Sequence, residues 1–274
     1  ADFRAQKRGG KGLQGMSTKD EDVVTTLFVA NTHTQLLFFT TDGMAYKIKT
    51  WRLPLGGRTA KGKAIVNILP IPTGVSVAAI MPVDRDEAEW GDLQIVFATT
   101  QGDIRRNRLS DFTNVRSNGK IAMKLPEGVE LVNARICSED DDVMLTTNSG
   151  RAIRFASTDL RVMNSRASTG VRGIRLTGDD MVVSMSVIRH FEATPEERAA
   201  YLKMRRALAG VTDEEAVEDD VPADPNFSQE RYEEMAAVEN LILTITRGGS
   251  GKLSSSHDYP VRGRGGMGVA AMDK

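Results

Sequence analysis

Gln6-Lys7-Arg8-Gly9-Gly10-Lys11-Gly12 places three cations and three glycines in seven residues. Glycine lets backbone amides come close to a partner and permits φ > 0. Lys and Arg supply the charge and donors that suit phosphate. Alone, such a run is equally a solvated basic turn. It stands apart because a weaker form recurs as Arg-x-x-x-Gly at Arg58/Gly62, Arg166/Gly170 and Arg264/Gly268, and one residue shorter at Arg116/Gly119.

No constellation for catalysis accompanies these cations. None of His33, His190 and His257 has a second His or Cys at metal-ligand spacing. There is no nucleophile elbow, Walker-type phosphate loop or paired-carboxylate motif. Glu139–Asp142 reads as a hairpin turn and lacks the ligand spacing of a calcium loop. His33 reads as a turn residue between strands. Tyr46, Tyr201, Tyr232 and Tyr259 read as ordinary core or surface residues. The single Cys137 excludes an internal disulfide, fits a reducing cytoplasm and, in its apolar stretch, reads as a buried inert thiol.

A net charge of −1 argues at first against a polyanionic partner. Its distribution reverses that. Glu192 to Glu239 holds 14 acidic and 5 basic residues, a net of −9, which leaves +8 for the remainder. The basic remainder carries the repeats. No run of 18 apolar residues is present, so no membrane-spanning helix is predicted, and the start Ala1-Asp2-Phe3-Arg4 does not read as a signal peptide. Its lack of Met marks it as a candidate fragment.

The elements that must carry these cations have a signature of their own. Phe39-Thr40-Thr41-Asp42-Gly43 precedes Lys47, Ala98-Thr99-Thr100-Gln101-Gly102 precedes Arg105, and Leu145-Thr146-Thr147-Asn148-Ser149-Gly150 precedes Arg151. Ile245-Thr246-Arg247-Gly248-Gly249 is a fourth copy. Gly-containing turns between β-rich arms predict hairpins. The glycines of the basic signature, Gly12, Gly62, Gly119, Gly170 and Gly268, lie 50, 57, 51 and 98 residues apart, and removing the 48-residue acidic block from the last gap leaves 50. The period is therefore close to 50 residues with one insertion, giving four hairpin units and five basic-glycine segments.

Within unit one the pattern predicts strands at Leu27–Ala30, Gln35–Thr40, Ala45–Lys49 and Gly62–Val66. Unit two is read as opening at Ile80, with a polar turn at Asp84–Trp90 and a central strand at Leu93–Ala98. Unit three opens at Val132 with Val143–Leu145 central. Unit four opens with Met181–Ile188 and resumes at Leu241–Thr246. Four short strands per period predict an all-β propeller-like fold. The acidic block differs. Thr194-Pro195-Glu196-Glu197 is a capping box with Pro at N1, predicting a helix to about Leu208 ended by Gly210. Ser228 caps a second helix to about Val238, and Asp213–Asp220 is predicted to be disordered. Residues 192–239 thus form a helical insertion within a single domain spanning 1–274.

Repetition sets the loop cations at equivalent angles around a ring. Lys7, Arg8 and Lys11 come first, then Arg58, Lys61 and Lys63, then Arg116 and Lys120, then Arg166, Arg172 and Arg175, then Arg262 and Arg264. Hairpin cations add Lys47, Lys49, Arg52, Arg105, Arg106, Arg108, Arg151 and Arg154. A curved positive belt suits a bent polyanion read through its backbone, as in DNA wrapped by phosphate contacts alone.

With heptad and repeats in place, the chain resembles the C-terminal domain of the DNA gyrase A subunit. Gln6 to Gly12 is similar to that family's hallmark heptad, with Lys at the second position, and the hairpin plus Arg-x-x-x-Gly unit resembles its blades. The resemblance covers all but Glu192–Glu239. It implies a β-pinwheel of about five to six four-stranded blades that wraps double-stranded DNA without catalysing anything itself. It implies that the heptad, Gln6, Lys7, Arg8, Gly9, Gly10, Lys11 and Gly12, is needed for the wrap. The parent enzyme would be a bacterial type IIA topoisomerase introducing negative supercoils with ATP. Partners would be the gyrase A breakage-reunion domain and gyrase B in an A2B2 heterotetramer, in the cytoplasm on the chromosome. ATP and Mg would belong to the parent complex and no cofactor to this domain, and none of the four tyrosines would be catalytic. That family usually has six blades; this chain begins late in the first and stops soon after the fifth basic segment, so an incomplete ring is expected. Two alternatives remain: the corresponding domain of topoisomerase IV, whose heptad is usually degraded, and a protein-interaction propeller, which would bind DNA with little salt dependence.

Overall fold

The computed structural model describes residues 8, 9, 12, 24–57, 60–165, 168–210 and 221–272. Each Thr-containing glycine turn closes an antiparallel hairpin. The pairs are β1 (Gln35–Thr40) with β2 (Met44–Lys49), β4 (Gln94–Thr99) with β5 (Asp103–Arg108), β8 (Asp141–Thr147) with β9 (Arg151–Ala156), and β12 (Leu241–Ile245) with β13 (Gly251–Ser255). Gly43, Gly102, Gly150 and Gly249 sit at φ of 81°, 82°, 80° and 87°. Three residues before each, a threonine carbonyl accepts the glycine N–H at 2.9–3.0 Å. The same threonine's hydroxyl bonds across the turn mouth, accepting from Asp103 N at 3.1 Å in the second hairpin and from Ser250 N at 3.1 Å in the fourth. The repeated Thr is therefore turn chemistry.

Three hairpins are extended into four-stranded sheets by a common rule. The strand following each hairpin pairs with its first strand: β3 (Val77–Val83) with β1, β7 (Leu131–Cys137) with β4, and β11 (Val182–Arg189) with β8. The fourth strand comes from the next repeat. β6 (Lys120–Ile121) crosses back to β2, β10 (Val171–Arg172) to β5, and β14 (Val269–Ala270) to β9. The sheet orders are β3-β1-β2-β6, β10-β5-β4-β7 and β11-β8-β9-β14, with β12-β13 a two-stranded fourth. Each sheet is thus laced to its successor by a borrowed strand.

The sheets stack face to face. Alternate side chains of β4 serve opposite neighbours: Ile95 and Phe97 join the core containing Leu37, Phe39 and Met81, while Val96 and Ala98 join Val143, Leu145 and Phe155. Burial on both faces explains why the central strands read as continuous apolar runs, since period-2 alternation needs one wet face. Phe39, Phe97 and Phe112 meet at centroid distances of 5.3–5.7 Å, with Trp90 fully buried beside them. The polar turn Asp84–Trp90 is exposed over most of its length and runs into a 3-10 turn at Glu87–Asp92; of its residues Trp90 alone enters the core.

Four readings of the sequence are corrected. Leu27–Ala30 forms no strand, and Leu27 is 89% exposed. Gly62–Val66 is not a strand either; a 3-10 turn spans Ile65–Asn67. The openings placed at Ile80, Val132 and Met181 lie in or beside strands that finish the preceding sheet. Pattern alone cannot assign an apolar strand to the hairpin before or after it. The stretch Glu139–Asp142 is a turn only in part, because Asp141 and Asp142 open β8 and Asp142 is fully buried.

Two helices form as expected: α1 (Pro195–Leu208), with the Thr194–Glu197 capping box, and α2 (Gln229–Val238), capped by Ser228. The disorder expected over Asp213–Asp220 falls outside the described residues.

Glycines also sit where neighbouring repeats meet. A Cβ on Gly43 would run into the Met123 carbonyl oxygen, and one on Gly170 into that of Ile104. Gly43→Ala is expected to cost more than about 1 kcal/mol, from left-handed strain and a backbone clash. Chemical denaturation checks it; an unchanged midpoint would show that the borrowed strand is not tightly seated.

Candidate nucleic-acid interface

Strand lacing sets the fate of many of the cations. The fourth residue of the second hairpin strand is Lys47, Arg106 or Arg154 in the first three sheets. These side chains point into the junction with the next repeat. Lys47 pairs with Glu87 at 2.7 Å and donates to the Thr113 carbonyl. Arg106 is 5% exposed, and its Nη1 lies 3.5 Å from Ser157 Oγ. Arg154 is 3% exposed, pairs with Asp142 at 2.7 Å and donates to the Ser256, Tyr259 and Arg189 carbonyls. The fourth hairpin has Ser254 at this register.

Arg105 is fully buried, with Nε on Asn107 Oδ1 at 2.8 Å, Nη1 on the Ser168 carbonyl at 2.6 Å, and its guanidinium 5.7 Å from the Phe97 ring centroid. Spacing assigns Arg105 and Arg106 to phosphate, and burial corrects both. The middle of a hairpin strand, flanked by other strands and covered by other sheets, has no rim position; only strand ends do, and there Lys49 and Arg108, with Arg52 just beyond β2, are exposed. The recurrence of a cation at one strand register is the signal for a clamp, and it is visible in the sequence.

A second group lies on the crossovers that carry each borrowed strand back to the preceding sheet. Arg116, Arg172, Arg262 and Arg264 are exposed there; Lys61 and Lys63 are also exposed, in the loop between β2 and β3, where no borrowed strand is found among the described residues. Arg116 opens a turn in which Gly119 N–H donates to its carbonyl at 2.9 Å; Gly119 has φ of 86°, and its missing Cβ leaves room for the Tyr46 ring. The glycine of Arg-x-x-x-Gly therefore seats the crossover, while the arginine stays outside. Lys120 is half-buried, its Nζ donating to the Asp111 and Asn114 carbonyls at 2.7 and 3.0 Å, so it braces its own loop.

Successive crossovers touch. Arg264 donates to the Asp159 and Arg172 carbonyls at 3.2 and 3.1 Å, and Gly265 N–H donates to the Gly173 carbonyl at 2.6 Å. Arg172 and Arg264 are thereby held on one edge. Arg161 and Arg175, also exposed, extend this edge. Arg161 has no counterpart at its position in the other repeats, so spacing does not reveal it. Of the heptad, Arg8, Gly9 and Gly12 are described and exposed, with φ of 83° at Gly9 and 72° at Gly12. Gln6, Lys7, Gly10, Lys11, Arg58 and Arg166 lie outside the described residues.

Among the described residues there is no cluster of three or more His, Cys, Asp or Glu placed to hold a metal, and no helix long and apolar enough to cross a membrane. The Cys137 thiol is buried, and burial pushes it up to about 12, which suppresses the reactive thiolate. Cys137 lies at the end of β7, opposite Gln94 of β4, in the core cluster that holds Val96, Val143 and Phe155.

Stacked four-stranded blades that exchange strands, with exposed cations on the exchanging segments, define a β-propeller of pinwheel type with a basic edge. The chain belongs to the family described as DNA gyrase C-terminal domain, beta-propeller, which matches residues 1–31, 34–84, 94–138, 141–189 and 240–274. The unmatched 190–239 is the helical insertion. The DNA gyrase A protein of Granulibacter bethesdensis is 49% identical over 98% of this chain, and that of Rickettsia bellii 45% over 99%. The chain spans 30% of the length of each of these relatives. Two solved structures share the fold at 18% identity. The C-terminal domain of a DNA topoisomerase IV aligns with TM-score 0.65 over 94% of this chain and 64% of its own. A DNA gyrase A C-terminal domain aligns with 0.54 over 98% and 88%.

Proposed function

We propose that this domain binds double-stranded DNA along its crossover edge and wraps it, serving a gyrase A-type protein in ATP-dependent negative supercoiling. The supporting observation is a partial sorting of the cations: Lys47, Arg105, Arg106 and Arg154 are taken up inside the fold, whereas Arg116, Arg172, Arg262 and Arg264 are exposed on the crossovers of consecutive blades, with Lys49, Arg52 and Arg108 exposed at the ends of hairpin strands. Contacts from a rigid repeating edge to phosphate hold DNA without reading sequence. Bending 20–30 base pairs costs about 1–6 kcal/mol, so wrapping needs many such contacts, and repetition provides them. The relatives' names support a gyrase context. The partners follow from that context: the breakage-reunion part of gyrase A, together with gyrase B, with ATP and Mg handled there, in the cytoplasm on the chromosome.

Topology tests the wrap. A relaxed plasmid saturated with this domain and resealed by a nicking-closing enzyme is expected to change its linking number. An unchanged distribution at saturating, gel-verified binding would leave DNA binding without wrapping.

A further inference from the structure

Residues 190–239 fall outside the family match, and the two helices described within them are seated on the turn that follows β13. Their two roots lie side by side. Arg189 N–H donates to Asn240 Oδ1 at 3.0 Å and Arg189 Nη1 to the Ala237 carbonyl at 3.4 Å. Asn240 and Ser256 exchange hydrogen bonds at 2.8 and 3.1 Å. Above the roots, Tyr201, Leu202 and Met235 form a small core with Phe191, Phe227 and Tyr232. That core sits on the 3-10 turn after β13. His257, 2% exposed, has Nε2 3.0 Å from the Met235 carbonyl and its ring 4.8 Å from that of Tyr201. Arg231 ties α2 to α1 through Glu197 at 2.8 Å and to the root through the Glu192 carbonyl at 2.8 Å.

The seat adjoins the basic edge. A cleft of about 560 Å³ is lined by Glu192, Pro195 and Arg198 of the insertion and by Asp159 and Arg262 of two crossovers. Glu192 has a side chain 93% exposed, and Glu196, Glu230 and Glu233 are also exposed. A charge on a packed element acts at one place, whereas a loose tether averages it away. At physiological ionic strength its reach is about 8 Å.

We propose that the helical insertion is a fixed electrostatic stop that ends the DNA path where the third and fourth repeats meet, beside Arg262. This inference rests on the DNA-binding reading of the edge. Duplex following the crossovers gains phosphate contacts up to Arg172, Arg262 and Arg264, then meets carboxylates that repel it.

Two variants of the whole chain test it. In one, Phe191–Glu239 is replaced by a short Gly-Ser link, which the adjacent roots can accept. In the other, E192Q/E196Q/E230Q/E233Q keeps both helices and removes only charge. Nuclease footprints and the salt slope of duplex affinity are read for both against the parent chain. The neutralised variant is expected to give a longer footprint and a slope steeper by about 1–2, one or two extra phosphates engaged. A neutralised variant identical to the parent overturns the proposal. So does a footprint lengthened by deletion alone, which would make the insertion a steric block. If the parent chain gives no footprint at all, the DNA-binding reading fails instead.

Discussion

Arg154→Met will destabilise the domain by about 3–5 kcal/mol, because it leaves a buried carboxylate without its main partner. Asp142 is fully buried and pairs with Arg154 at 2.7 Å. The same guanidinium satisfies the Ser256, Tyr259 and Arg189 carbonyls, joining the third hairpin to the next repeat's turn and to the root of the insertion. Removing it strands an anion and frees several acceptors in one step. Adding Asp142→Leu to Arg154→Met should recover only part of the loss, since the carbonyls remain unsatisfied.

The cost will depend on pH. His190 Nδ1 lies 2.6 Å from the other oxygen of Asp142. Burial alone would lower the His190 pKa, but the hydrogen bond and charge of Asp142, with Glu192 beyond, outweigh it and raise it. A histidine raised in the folded state contributes stability that is fully present below its unfolded pKa and is lost as pH rises through the folded value. In Arg154→Met the imidazolium is the nearest remaining cation to Asp142. The destabilisation should therefore be smaller at acidic pH than at pH ~8, above the usual histidine range. Urea denaturation at both ends checks this. A loss below about 1 kcal/mol, or one independent of pH, would show that the pair is not the clamp described.

Neutralising exposed cations will act on DNA and not on stability. K61Q/R116Q/R172Q/R262Q removes four exposed cations, three on crossovers and Lys61 in the loop between β2 and β3. If each meets one phosphate, the slope of log affinity against log salt falls by about 3.6, at about 0.9 per contact. The unfolding midpoint should barely move, because surface changes of this kind are generally worth less than about 0.5 kcal/mol. Arg105→Gln should do the reverse, since Arg105 is fully buried and bonded to Asn107 and the Ser168 carbonyl. An unchanged slope in the quadruple variant would move the DNA path off this edge. Salt titrations of a duplex of fixed length, with thermal melts of both variants, separate the two effects.

Much of this fold is legible in the chain. The Thr-x-x-Gly turns are, because a left-handed glycine behind a bonding threonine is a local requirement written in adjacent residues. So are both insertion helices, whose caps are local too: Thr194 with Glu197, and Ser228. The period near 50 exposes the propeller, because each repeat must bury its faces against the next. Segregation of charge between the acidic insertion and the basic remainder is also a matter of counting.

The fate of individual cations is not. Arg105 and Arg116 are both arginines in a β-rich repeat, yet one is buried against Phe97 and the other is exposed. What separates them is that β10 crosses from one repeat to close the sheet of the one before, covering β5. The same exchange decides that Val77–Val83, Leu131–Cys137 and Val182–Arg189 finish sheets rather than open them. By itself the sequence determined the turns, the helix caps, the repeat length and the charge balance, most of them set by residues within a few positions of one another. Only the tertiary structure decided which strand joins which hairpin, and hence which cations clamp blades and which remain for phosphate. Pairing between strands from different repeats depends on sheet faces meeting in space, and those faces carry the same apolar pattern whichever neighbour they join.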